Sequence, residues 1–184
     1  ELVNVRKYFT DGRPAMIVLG KGEHQIKGHE LNLFSAMSIV GSPDVPKEQI
    51  VVVGGIHFNQ GIQGNCHLQH LTLRQAKNEG VYGKSSFTME DVLVEYCGWS
   101  GVIAYGTGVI GRCTDVEVRQ CGGSGVVAYD GASITLNGPK TTVHHNCTKA
   151  NSSSYGMAVN GSSSSTIQLV APLTKEHVAL DNGG

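Results

Sequence analysis

Acidic and basic side chains recur at matching places along this chain. Asp91 is followed by Glu95, and Asp115 by Glu117 and Arg119. Two carboxylates on neighbouring strands, about 5 Å apart, repel each other and so raise their pKa values or recruit a cation. Asp91, Asp115 and Glu117, with Arg119 or His70, therefore form a candidate catalytic set for an acidic sugar polymer, with calcium as its only candidate cofactor. The aligned outward positions make three columns. The first is His70, Asp91, Asp115, Lys140; the second Thr72, Leu93, Glu117, Thr142; the third Arg74, Glu95, Arg119, His144. The third column alternates in sign, which is what charge pairing between strands needs and what discourages slippage of register. His70 and Lys140 flank the aspartates with compensating charge. A solvated, charge-paired face is accordingly favoured over a catalytic one, and no cofactor is expected.

Aromatic residues offer a second kind of chemistry. Tyr105 and Tyr129 occupy equivalent places, and Trp99, the single tryptophan, stands where the next repeat has Gly123. Exposed rings of this kind stack on sugars or anchor a protein partner, so Trp99, Tyr105 and Tyr129 are candidate contacts. His144 and His145, adjacent on a strand, should point to opposite faces and make a poor metal pair. Five cysteines without CxxC spacing read as buried free thiols rather than a zinc site. A Cys97–Cys121 disulfide between neighbouring rungs is the less favoured alternative. The sequon at Asn146 is expected to lie inside the fold.

These residues are positioned by a repeat. Asp91 to Tyr105 lies over Asp115 to Tyr129 with a shift of 24 residues (115 − 91), and ten of sixteen positions agree when the next residue is included. Weaker copies begin at His70 and Thr142. Each copy opens with period-two alternation, Leu71 and Leu73, Val92 and Val94, Val116 and Val118 sharing one face, as in a half-buried strand. A glycine-marked turn and two more short apolar runs follow. Three strands in about 24 residues leave no room for crossover helices, so the coil closes by stacking its strands on the next coil, about 4.8 Å away. The position after the first strand reads Ala76, Cys97, Cys121, Asn146, an interior column of small or amide side chains.

With its opening runs Met16 to Ile26, Met37 to Ser42 and Ile50 to Gly55, the chain resembles the pectin-lyase-like right-handed parallel β-helix superfamily, over most of residues 14–172. The resemblance implies an all-β, right-handed solenoid with three strands per coil and about six to seven coils. Residues 1–184 then form one domain, with 1–13, including Leu2 to Val5, as an N-terminal cap and 173–184 as a C-terminal cap or tail. Catalytic motifs of that superfamily, Asn-Thr-Asp, Asp-Asp, Gly-His-Gly and Arg-Ile-Lys of polygalacturonases or Tyr-Gly-Phe-Asp-Pro-His of alginate epimerases, do not occur. No convincing match to the pectate lyase strings is present either, so no catalytic residue carries over.

Composition narrows the function further. A net charge of -1 argues against nucleic acid and anionic membranes as principal partners. No run approaches about 18 apolar residues, the N-terminus lacks the apolar core of a signal peptide, and nothing assigns a compartment. The expectation is a non-catalytic scaffold or binding module, with a carbohydrate or protein partner or self-association. The alternative is a lyase, hydrolase or epimerase acting on acidic polysaccharide. Its weakness is the short loops, with only Lys149 to Tyr155 long enough to wall a cleft.

Overall fold

Among the described residues every strand pairing is parallel, and the strands stack into three walls. The computed structural model describes residues 15–149 and 154–183. In the first wall Ala15–Leu19, Met37–Gly41, the first half of Cys66–Arg74, the first half of Phe87–Glu95, Ile110–Thr114, Ser133–Asn137 and Thr166–Leu169 follow one another. In the second wall come the first halves of Gly22–Leu33 and Ile50–Phe58, the second halves of Cys66–Arg74 and Phe87–Glu95, then Glu117–Arg119, Thr142–His144 and Ala179–Leu180. The third wall stacks the second halves of Gly22–Leu33 and Ile50–Phe58, then Val81–Gly83, Val102–Tyr105, Val126–Tyr129 and Met157–Asn160. The result is an all-β parallel solenoid of about five regular turns, with an irregular rung at either end. Helix among the described residues amounts to Lys175–Val178 and one 3-10 turn, Lys47–Gln49.

The expected inward face is the core. Leu71, Leu73, Val92, Val94, Val116 and Val118 are fully buried, and Phe58 stacks on Phe87 inside the coil at 5.6 Å. Each buried aliphatic side chain contributes roughly 1.5–3 kcal/mol through removal from water. The glycines of the repeat mark where the chain enters the third wall. A Cβ on Gly101 would lie 2.3 Å from Val118 Cγ1, and one on Gly125 2.3 Å from Val143 Cγ1, so these positions have no space for a side chain.

The interior column is as expected and longer. Cys97 Sγ donates to Glu95 O at 3.7 Å and Cys121 Sγ to Arg119 O at 3.5 Å, and the neighbouring Cys121 thiol, with burial, raises the Cys97 thiol. Asn146 Nδ2 donates to Val118 O at 2.9 Å, and its Oδ1 accepts from the Cys121 N–H at 3.1 Å. Asn182 continues the column, its Oδ1 accepting from Asn146 Nδ2 at 3.0 Å. All five cysteines are free and buried, so the Cys97–Cys121 disulfide alternative does not hold. Burial alone pushes the Cys113 thiol up to about 12.

His70, Asp91 and Asp115 are not outward residues of a flat strand but bend the chain between the first and second walls, with φ of 52, 51 and 52°. Histidine and aspartate tolerate this left-handed region better than most residues, which accounts for their recurrence here without any ligand. Lys140 does not share the geometry; its N–H donates to Asp115 Oδ1 at 3.1 Å across a turn through Gly138. A second corner closes the second wall at Gln75, Tyr96, Gln120 and His145, with φ between 53 and 56°.

At the C-terminal end the Lys175–Val178 helix buries Val178, and Ala179–Leu180 pairs with Val143 and His144. The expected cap at 1–13, Leu2 to Val5 included, lies outside the described residues, as do residues 150–153 of the long loop.

Candidate functional site

The second wall carries the charges singled out in the sequence, and they serve one another. Arg74, Glu95, Arg119 and His144 are in register on successive rungs. Arg74 Nε donates to Glu95 Oε1 at 2.7 Å, and Arg119 Nε and Nη2 reach Glu95 Oε2 at 3.0 and 2.8 Å. Arg119 Nη1 also reaches Glu117 Oε1 at 2.9 Å, an oxygen that His144 Nε2 approaches at 3.2 Å. The face is not simply solvated, however. Glu95 is 1% exposed, and Thr72 and Leu93 are buried although they point outward. The Lys47–Gln49 turn lies over this end of the wall, with Thr72 Oγ1 donating to Lys47 O at 3.0 Å.

The aspartates do not act as a pair. Asp91 takes Lys47 Nζ on Oδ1 at 2.7 Å and His70 Nδ1 on Oδ2 at 2.6 Å, while His70 Nε2 lies 2.8 Å from Val45 O. Burial works against the Asp91 charge, but the bonds to Lys47 and His70 outweigh it and hold this carboxyl below the ordinary aspartate value. The same hydrogen bond raises His70. A carboxylate sharing a proton with Asp115 would move the other way. Asp115 instead caps the turn before Lys140.

His144 and His145 depart from their expected opposition. The left-handed corner at His145 swings its ring back, and the two Nδ1 atoms lie 2.6 Å apart. Among the described residues no group of three or more His, Cys, Asp or Glu side chains is arranged to hold a metal ion.

The third wall presents a different surface. Tyr105 and Tyr129 are opposite each other, with ring centroids 5.5 Å apart and planes 12° from parallel. Tyr82, on the preceding rung, lies 6.0 Å from Tyr105. Together with Ile103, Val127, Glu79 and Asp130 the three tyrosines line an open groove of about 380 Å³. Lys84 Nζ sits 5.4 Å from the Tyr82 ring centroid and 5.8 Å from that of Tyr105, a cation–π arrangement at the rim. A hydrogen bond to Asp130 raises the Tyr105 phenol. Burial does the same for Tyr82, with smaller contributions from Tyr105 and Glu79. The floor is apolar and the rim carries carboxylates and one ammonium. Such a surface can seat the C–H face of a ring while accepting hydrogen bonds from its hydroxyls.

Tyr82 and Glu79 also line a smaller, more enclosed pocket of about 150 Å³ with Glu30, Gly55, Ile56 and His57. His57 meets the edge of Tyr82 at 4.8 Å, and its Nε2 is buried with no hydrogen-bond partner among the described residues. Burial, and then the Lys84 charge, lowers the His57 pKa. Burial, and then the Glu30 charge, raises Glu79, with its own backbone N–H opposing. Asn78 Nδ2 donates to Glu30 Oε1 at 2.6 Å. A side chain at Gly55 would collide with Glu79 O at 2.4 Å, so the pocket depends on that glycine.

Of the residues named from the sequence, then, Tyr105 and Tyr129 stand in the groove. Trp99 does not line it; the residue is 57% exposed on its turn, with Lys149 Nζ 5.9 Å from its ring centroid. Sequence reasoning missed Tyr82, Glu79, His57 and Glu30. The Gly80-Val81-Tyr82 copy was the available signal, since it aligns with Gly101-Val102-Ile103. No protein-family model, curated protein or solved structure matches this chain.

Proposed function

We propose that this chain is a non-catalytic β-solenoid binding module that takes a neutral oligosaccharide along its third wall. The observation that carries the reading is the Tyr82, Tyr105 and Tyr129 row over an apolar floor of Ile103 and Val127, open to solvent on consecutive rungs. Successive turns repeat at about 4.8 Å, close to the length of a sugar residue, so an extended chain could run along the stack. Glu79 and Asp130 on the rim favour hydroxyl donors and repel the carboxylates of an acidic polymer. In its finer detail the fold is read as a right-handed coil of six to seven turns, counting both end rungs, of the pectin-lyase-like kind. Strands with a right-handed twist favour that hand for parallel crossovers.

The catalytic alternative has less support, because Asp91, Asp115 and Glu117 are each engaged by separate partners. A glycan array of neutral and uronic-acid oligosaccharides, followed by calorimetry, tests the binding reading. The expected result is binding of a neutral oligosaccharide that falls at least ten-fold in Tyr105→Ala, Tyr129→Ala. Binding restricted to uronic-acid chains, or a neutral ligand held equally by the double variant, would overturn it.

A further inference from the structure

We propose that the smaller pocket of Glu30, His57, Glu79 and Tyr82 is a separate subsite for one small, neutral, hydroxylated ring at the head of the tyrosine groove. The proposal deepens the oligosaccharide reading and rests on it for the ligand class, but its geometry stands independently.

Three observations on this pocket converge. The first is its size: about 150 Å³ corresponds to the liquid volume of about five waters, which suits a single small ring and not a chain. The second is the unpartnered His57 Nε2. A buried polar atom without a partner is destabilising, so a ligand group that bonds it is favoured over one that does not. The third is the mixture of groups around it. Glu30 and Glu79 accept hydrogen bonds, the imidazole accepts or donates according to its tautomer, and Tyr82 supplies a ring edge.

A hydroxyl meets both requirements at once, since it donates to a carboxylate and either donates to or accepts from the imidazole. A carboxylate or phosphate would be pressed against Glu30 and Glu79. An ammonium would satisfy the carboxylates but fits only the tautomer in which Nε2 accepts, and it would add a second cation beside Lys84, whose charge already acts on His57. Glu79 and Tyr82 line both the pocket and the groove, so a ring seated here could continue into a chain lying over Tyr105 and Tyr129.

The experiment is an NMR titration that follows the imidazole resonances of His57, assigned by their loss in His57→Gln. The probes are a panel of neutral monosaccharides, methylammonium and inorganic phosphate, each tested on the full chain. A monosaccharide should shift the His57 signals saturably, keep doing so in Tyr105→Ala, Tyr129→Ala, and bind at least five-fold more weakly to Glu79→Gln. A pocket that responds to monosaccharides while the array finds no Tyr-dependent oligosaccharide leaves the subsite and removes the groove. The reverse outcome, oligosaccharide binding with His57 unmoved, removes the subsite and leaves the groove. A response to methylammonium or phosphate alone, or to no probe, overturns the proposal.

Discussion

Arg119 grips Glu95 with Nε and Nη2, both on the same carboxylate oxygen, at 3.0 and 2.8 Å. Arg74 takes the other oxygen from the opposite side, so one buried carboxylate joins three successive rungs of the second wall. The link is structural, and it holds register where a slip of one residue would turn every inward valine outward.

Glu95→Ala should therefore cost about 3 kcal/mol, the low end for breaking a buried ion pair. The two guanidiniums are about a third exposed and can turn to water, which limits the penalty. Urea denaturation measures it. A loss below about 1 kcal/mol would place the network among ordinary surface pairs.

The His70–Asp91 contact predicts a window of pH in which it stabilises the fold. His70 is raised above its ordinary 6.5, so its contribution is complete below that value and disappears as pH rises through the folded pKa. Asp91 is lowered below 3.8, so its contribution is complete above that value and is lost as pH falls through the folded pKa. The stability difference between the native chain and Asp91→Asn should be largest between pH 3.8 and 6.5 and shrink on both sides. A difference that stays constant from acid to alkaline pH would show that the contact carries no linked proton.

The thiols give a third check. Cys66, Cys113 and Cys121 are at most 1% exposed, and Cys97 and Cys147 at most 4%. Burial also pushes Cys66 to about 11 and Cys113 to about 12, so little reactive thiolate exists at neutral pH. A bulky thiol reagent should label none of the five in the native state and all five in denaturant, as mass spectrometry would read. Fast native labelling of Cys97 and Cys121 would contradict the interior column.

The parallel coil and its interior were legible because every turn must put side chains of similar size at the same inward place. That demand imprints a period on the chain, from which Val92 over Val116, Cys97 over Cys121 and the Arg74–Glu95–Arg119 column all follow. Asp91 and Asp115 repeat equally well, yet period alone does not distinguish a strand residue from a left-handed corner, and only the backbone at φ near 50° shows them to be bends. The covering of Thr72 was likewise invisible, since it depends on where the Lys47–Gln49 turn folds back. The third-wall pocket lies furthest from the sequence. Glu30, His57 and Glu79 come from three different turns and recur in none. An irregular register between Gln25 and Glu30 separates the first of them from any repeat. Stacking alone brings them together, because residues more than twenty positions apart become neighbours when each turn of chain rises by one strand spacing.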